Sequence, residues 1–210
     1  KIWHNTFNDD GSLSGVWTEQ DLTDLGVTQD LAYTFVTTRA NPISAGTYPG
    51  NLYIFGGCST TSQLPCGATS FETEVYKCNI LTTGSLEEAD ANDCTTTGQV
   101  QIDSESGTVG SQGLGMHSGA VYGDYIYLVA GRTESENDRN GVLYAKFDDN
   151  NDVVDADGET AIDNVWTDTS TIVTGRSLGS AVVHNGHLYY IGGLDDDLNV
   201  VINDIEIARI

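Results

Sequence analysis

The densest run of side chains able to hold a metal lies at residues 148–163 (DDNNDVVDADGETAID), where six aspartates fall within sixteen positions. Carboxylates at alternate places ahead of a glycine can wrap Ca²⁺, a hard cation that takes several oxygen ligands. Asp155 and Asp157 are best placed to do so, which makes Ca²⁺ the one cofactor that the sequence raises. A loop of the EF type would also need an oxygen ligand at Val153 and a glutamate where Asn164 stands. Asp157-Gly158 therefore reads first as a turn and second as an ion site. Asp195, Asp196 and Asp197 form a second acidic group, read as a solvated loop open to ligands.

Four cysteines stand at 58, 66, 78 and 94, and none of the intervals is the C-x-x-C of a zinc knuckle or redox pair. Three pairings are open. The expected one joins nearest neighbours, Cys58 to Cys66 and Cys78 to Cys94, contributing roughly 2.5 and 3 kcal/mol in chain-entropy bookkeeping. The second bond would tie the strand at 75–80 to the connection that follows it. Disulfides point to an oxidising, extracellular or cell-surface setting. No G-x-S-x-G elbow, H-E-x-x-H pair or P-loop occurs. His4, His117, His184 and His187 fall on or beside predicted strands at unrelated places, where packing explains them. The expectation is a binding protein and not an enzyme.

The 210 residues include 31 acidic and 8 basic side chains, for a net charge of −23. Such a surface repels nucleic acid and anionic membrane, so neither is expected as a partner. No apolar run approaches the ~18 residues of a membrane span, so membrane insertion is not expected either. Lys1 is not an initiator Met, and no leader precedes the first strand; a processed chain or a piece of a longer one is expected.

The elements that must position these groups repeat. Residues 51–57 (NLYIFGG), 125–131 (YIYLVAG) and 187–193 (HLYYIGG) are β runs with a tyrosine in third place (Tyr53, Tyr127, Tyr189), stopped by small residues. Before two of them lie 116–122 (MHSGAVY) and 178–184 (LGSAVVH), separated by Gly123-Asp124 and Asn185-Gly186, which is hairpin-turn chemistry. After each glycine stop comes a further strand: 75–80 (VYKCNI), 142–147 (VLYAKF) and 205–210 (IEIARI), matched at the start of the chain by 2–7 (IWHNTF). Turns at 8–13 (NDDGSL) and 81–86 (LTTGSL) follow, and Val16-Trp17-Thr18 and Val165-Trp166-Thr167 open another strand. An outer strand without Trp is expected near 99–103. Four short strands joined by hairpins make one propeller blade.

In this order of strands, turns and aromatic places the chain resembles the kelch repeat, in particular bacterial kelch-like repeats with an N-x-D-G-[ST]-L-x-x-W hairpin. Arg176 stands where kelch blades often carry an arginine, and Arg39 falls within a residue of that place. The resemblance implies an all-β fold of four-stranded antiparallel blades, with repeat units at about 1–73, 74–140 and 141–203 and a further unit beginning at 204–210. The chain would open with two outer strands of one blade, run through two whole blades and stop after the third strand of another. Propellers typically have about 4–8 blades. Further blades, from the same precursor or another chain, are therefore expected partners in a larger ring.

The resemblance also places the variable loops at one face, at 58–73, 132–140 and 194–203 and at 20–38, 104–113 and 168–175. Function in repeat scaffolds sits where the repeats differ. Arg132, Glu134, Glu136, Asp138 and Arg139 are the densest charged group there, joined by Asp195 and Asp196. The expected activity is binding of a protein or glycan for adhesion or assembly. The alternative is the propeller portion of a secreted carbohydrate-active enzyme with its catalytic residues outside this chain.

Overall fold

The computed structural model describes residues 1–5, 8, 10–15, 17–27, 32–41, 48–59, 71–87, 94–100, 112–133, 138–156, 166–195 and 198–210. Sixteen strands and no helix occur among them. Alternation of apolar and polar residues at period two, cut by Gly and Asn turns, leaves antiparallel hairpins as the way to bury one face per strand.

The first complete blade is the sheet β3(Phe35–Ala40), β4(Gly50–Phe55), β5(Glu74–Ile80), β6(Cys94–Gln99), in that spatial order. The second is β7(Ser118–Tyr122), β8(Tyr125–Val129), β9(Gly141–Phe147), whose outer edge is paired in two pieces by β10(Val153–Val154) and β11(Thr167–Thr171). The third holds three strands, β12(Ser180–His184), β13(His187–Ile191) and β16(Ile205–Arg209), with a small hairpin of β14(Leu194–Asp195) and β15(Val200–Val201) between the last two. At the chain start, β1(Ile2–His4) and β2(Thr18–Gln20) form an outer hairpin alone. Half a blade, two whole blades and three strands of another is the arrangement that the repeats predict.

Blades stack face to face. Tyr53, Phe55 and Val75 of the first blade meet Ile126, Leu128 and Phe147 of the second in one buried cluster. Val129 and Val142 of the second meet Leu188 and Tyr190 of the third in another. Gly119 is needed for the first of these contacts, because a Cβ there would lie 2.4 Å from the Phe35 ring. The outer hairpin packs through Ile2 and Leu22 on the far side of the first blade, over Leu52, Ile54 and Tyr76.

A backbone chain links the blades at their inner edge. Two residues before each first strand stands a non-glycine residue in the left-handed region: Tyr33 (φ 54°), Met116 (φ 55°) and Leu178 (φ 58°). The Met116 N–H donates to the Tyr33 carbonyl at 3.0 Å, and the Leu178 N–H to the Met116 carbonyl at 2.9 Å. This conformation costs roughly 1–2 kcal/mol per residue, so its recurrence marks a position that the stacking over-determines. Met116, flanked on both sides, is 2 % exposed; Tyr33 and Leu178, at the open ends, are 37 % and 46 % exposed.

Three details depart from the sequence expectation. The outer strand of the first blade is β6(Cys94–Gln99), earlier than 99–103, because Cys94 sits directly opposite Cys78 and their disulfide (Cα–Cα 4.1 Å) pins the ladder there. Thr167–Thr171 is strand where the loop at 168–175 was expected to begin. Arg39 lies in the first strand of its blade, whereas Arg176 precedes β12, so the two are not equivalent. Cys58 is disulfide-bonded as well and no described cysteine is free, while its expected partner Cys66 lies outside the described residues.

Candidate binding surfaces

One set of bridges recurs in every blade and gathers the variable loops. Ala32 pairs with Cys58, Gly115 with Arg132, and Ser177 with Leu194. In each, the residue just past the second strand is tied by two backbone hydrogen bonds of 2.8–3.0 Å to the residue just ahead of the first strand. The connection from second to third strand and the connection into the first strand therefore leave each blade side by side, at one end of the arc.

The expected ligand residues distribute unevenly over that end. Arg132 forms the base of the second-blade loop through its backbone bonds to Gly115, and Arg139 closes it by donating its N–H to the Gly131 carbonyl at 2.8 Å. Asp138 stands beside Arg139, partly buried. Asp195 is 6 % exposed, and its Oδ1 accepts the Leu198 N–H at 3.0 Å, so that carboxylate serves the turn between β14 and β15. Glu134, Glu136, Asp196 and Asp157 lie outside the described residues.

Much of the acidic stretch at 148–163 belongs to the opposite end, where it fastens two blades together. Residues 148–152 form the same hairpin turn as 8–12 and 81–85: Gly11, Gly84 and Asn151 each donate their N–H to a carbonyl three residues back and take φ of 82°, 84° and 61°. The alignment from sequence put that turn at Asp157-Gly158, because Asn151 fills the glycine place. Asp148 Oδ1 accepts the N–H groups of Asn150 and Asp152 at 2.9 and 2.7 Å. Lys77 of the first blade donates to Asp152 Oδ1 and to the Asn150 carbonyl, both at 2.8 Å. Tyr53, fully buried, donates its hydroxyl to the Asn151 carbonyl at 2.7 Å, and burial pushes its phenol well above the ordinary range. Asp155 accepts from the Thr167 hydroxyl at 3.4 Å. No cluster of three or more His, Cys, Asp or Glu side chains able to hold a metal occurs among the described residues.

The three repeat tyrosines share a register place but not a burial. Tyr53, Tyr127 and Tyr189 pair with Thr37, Ala120 and Val182 across the first hairpin of each blade. Tyr53 is covered by the second blade and Tyr127 is partly covered by the third. On the third blade the same face carries Val182, Ile191, Ile205 and Ile207, exposed by 48, 42, 57 and 61 %. Their counterparts on the first blade include Phe55 and Val75, both fully buried. Sequence periodicity found this face but could not tell that it stands open. On the other side of the third blade, toward the second, a cleft of about 270 Å³ lies between β11 and β16, with Val129, Ile172, Leu188, Tyr190 and Ala208 in its lining.

Two buried groups sit inside the blade stack. Arg176 is fully buried, forms ion pairs with Asp204 and Glu206, and lies over the Tyr190 ring at 5.3 Å from its centroid. Burial raises the Tyr190 phenol to about 12. His117 is buried beside Gly56 and Gly131, with no hydrogen-bond partner among the described residues on either ring nitrogen, and desolvation lowers it to about 3.

The pairing and stacking define a β-propeller arc. In its fold the chain is similar to a solved structure described as "Structure of YjhT", with a TM-score of 0.55 and 10% sequence identity. The match covers 99% of this chain and 49% of that one, so the chain spans about half the length of that neighbour. No protein-family model matches the chain, and no curated protein matches it.

Proposed function

We propose that this chain is a kelch-like binding module, extracellular or displayed at a cell surface, that engages a protein or glycan through the loops gathered at one end of the arc. The observation that carries the reading is the triple bridge Ala32–Cys58, Gly115–Arg132 and Ser177–Leu194. It sets the bases of the second-to-third-strand connections of three blades at one end of the arc, an arrangement that suits binding loops on a fixed scaffold. The buried disulfide between Cys78 and Cys94 supports an oxidising setting. The net charge of −23 favours cationic or neutral partners over polyanions. Further blades, from the same precursor or another chain, would cover the open face of the third blade.

Binding of fluorescently labelled protein to a glycan array and to arrayed cell-surface proteins tests the reading. Replacing residues 134–137 with Gly and Ser should remove the signal and leave the melting temperature unchanged. Equal binding by the loop variant would refute a site at this end of the arc.

A further inference from the structure

We infer that His117 is an acid-sensitive latch for the second-blade loop: its neutral ring lets the base of that loop stay shut, and a proton gained in acidic surroundings opens the base and releases what the loops hold. The inference rests on the loop-face reading of function and adds a means of regulating that same site. His117 departs from the repeat. The residue just ahead of each first strand is Thr34, His117 or Gly179. The Thr34 hydroxyl donates to the Phe55 carbonyl of its own blade at 2.7 Å, and Gly179 has no side chain to satisfy. His117 puts a titratable ring in that place, 7 % exposed and with neither nitrogen hydrogen-bonded among the described residues. A buried polar group left in this state costs free energy that the threonine of the first blade does not.

The ring lies against the bases of two loops. A Cβ at Gly56 would stand 3.5 Å from His117 Cε1, and one at Gly131 would stand 2.8 Å from the His117 Cβ. Glycine at both strand stops therefore gives the histidine its room. The hydrogen bonds that close the loop base are made by the three residues ahead of it. The Leu114 carbonyl accepts the Gly57 N–H at 2.8 Å, and Gly115 and Arg132 exchange bonds of 3.0 and 2.8 Å. The Met116 N–H donates to the Tyr33 carbonyl at 3.0 Å. Movement of His117 away from Gly56 and Gly131 would thus pull on every one of these bonds.

An imidazolium cannot keep this place, because a buried cation needs an acceptor or a counter-charge. The charged side chains on the described segments packed around the ring are Glu72 and Glu74 beside Gly56, Arg132 and Arg139 beside Gly131, and Arg176, whose carbonyl accepts the Gly131 N–H. None of them holds the ring neutral; burial alone does so. Once the base opens, the ring regains its ordinary value of 6.5. The closed form is therefore fully favoured above pH 6.5 and loses ground to the open form as pH falls from there toward 3.

Amide hydrogen exchange of the intact chain at pH 6.5 and 4.5, corrected for intrinsic rates, tests the inference. The amides of Gly57, Gly115 and Arg132 should open at least tenfold more often than those of β4 and β8 at both pH values, which marks a local event. Their opening constants should rise about fiftyfold over those two units, the factor that one proton on an exposed ring supplies. His117→Thr copies the Thr34 place and should abolish the rise, and His117→Gln should do the same if the threonine variant proves unstable. Opening constants that do not change with pH would overturn the inference. So would exchange at these three amides no faster than in β4 and β8, since opening would then need the whole chain to unfold, or a rise that persists in both variants. The measurement needs no ligand, so its failure leaves the loop-face reading standing, and failure of the glycan and protein arrays leaves the latch standing.

Discussion

Across the boundary between the first two blades, the Arg39 guanidinium donates from Nε to the Asn151 side-chain oxygen at 2.9 Å. Its Nη2 also reaches Asp124 Oδ1 at 2.6 Å, and its plane lies over the Phe147 ring, 4.6 Å from the centroid. Asn151 in turn donates to Asn51 Oδ1 at 3.3 Å. A glycine would take φ of 61° more easily than asparagine, but it would lose the side-chain bonds to Arg39, to Asn51 and to the Ala40 carbonyl. Hydrogen bonds to charged groups are worth about 1.5–3 kcal/mol each in mutational series. Arg39→Ala should lower stability by about 2 kcal/mol in urea denaturation. Asn151→Gly should lower it by less, since relief of the left-handed conformation offsets part of the loss. A stabilised Asn151→Gly variant would show that the clasp contributes little.

The disulfide between Cys78 and Cys94 closes a separation of 16 residues inside the first blade. Replacing both cysteines by alanine should cost about 3 kcal/mol, mainly by freeing the unfolded chain. Thiol titration of the denatured, unreduced protein should find no reactive cysteine. Reactive thiols there would remove the support for an oxidising compartment.

The glycine stops after the second strands differ in what surrounds them. At Gly56 (φ +50°) a Cβ would lie 2.4 Å from the Leu114 carbonyl oxygen, whereas at Gly192 (φ +64°) the nearest atom is the Ile202 oxygen at 3.5 Å. Ala130 already occupies the equivalent place in the second blade at φ 60°. Gly192→Ala should therefore cost about 1 kcal/mol, the left-handed strain alone. Gly56→Ala should cost several times more, because the second blade would have to move. Similar melting temperatures for the two variants would contradict this close approach.

His117 makes stability depend on pH. Its folded value near 3 lies below the ordinary 6.5, so the folded protein keeps the ring neutral where the unfolded chain protonates it. Stability is complete above pH 6.5 and falls as pH drops from there toward 3, by about 1.4 kcal/mol per pH unit at most from this one proton. His117→Gln should flatten that part of the profile, read as urea midpoints between pH 4 and 7. An unchanged slope would place the dependence on other groups.

Strand content, hairpin turns and blade order were legible from the residues themselves, because each depends on local chemistry. Period-two alternation makes strands, Asn185-Gly186 makes a tight turn, and Gly56-Gly57 ends a strand by taking positive φ. The repeat of Tyr53, Tyr127 and Tyr189 put those strands in register without coordinates. Burial was not legible, since it depends on what stacks on each face. The same tyrosine place is sealed in the first blade and partly open in the third. Nor could composition reveal that Asp148 and Asp152 are engaged by backbone N–H groups and Lys77, or that Asp195 caps its own turn. These partners come from other blades or from loop geometry, and a carboxylate's role is decided by what the fold brings within hydrogen-bonding distance of it.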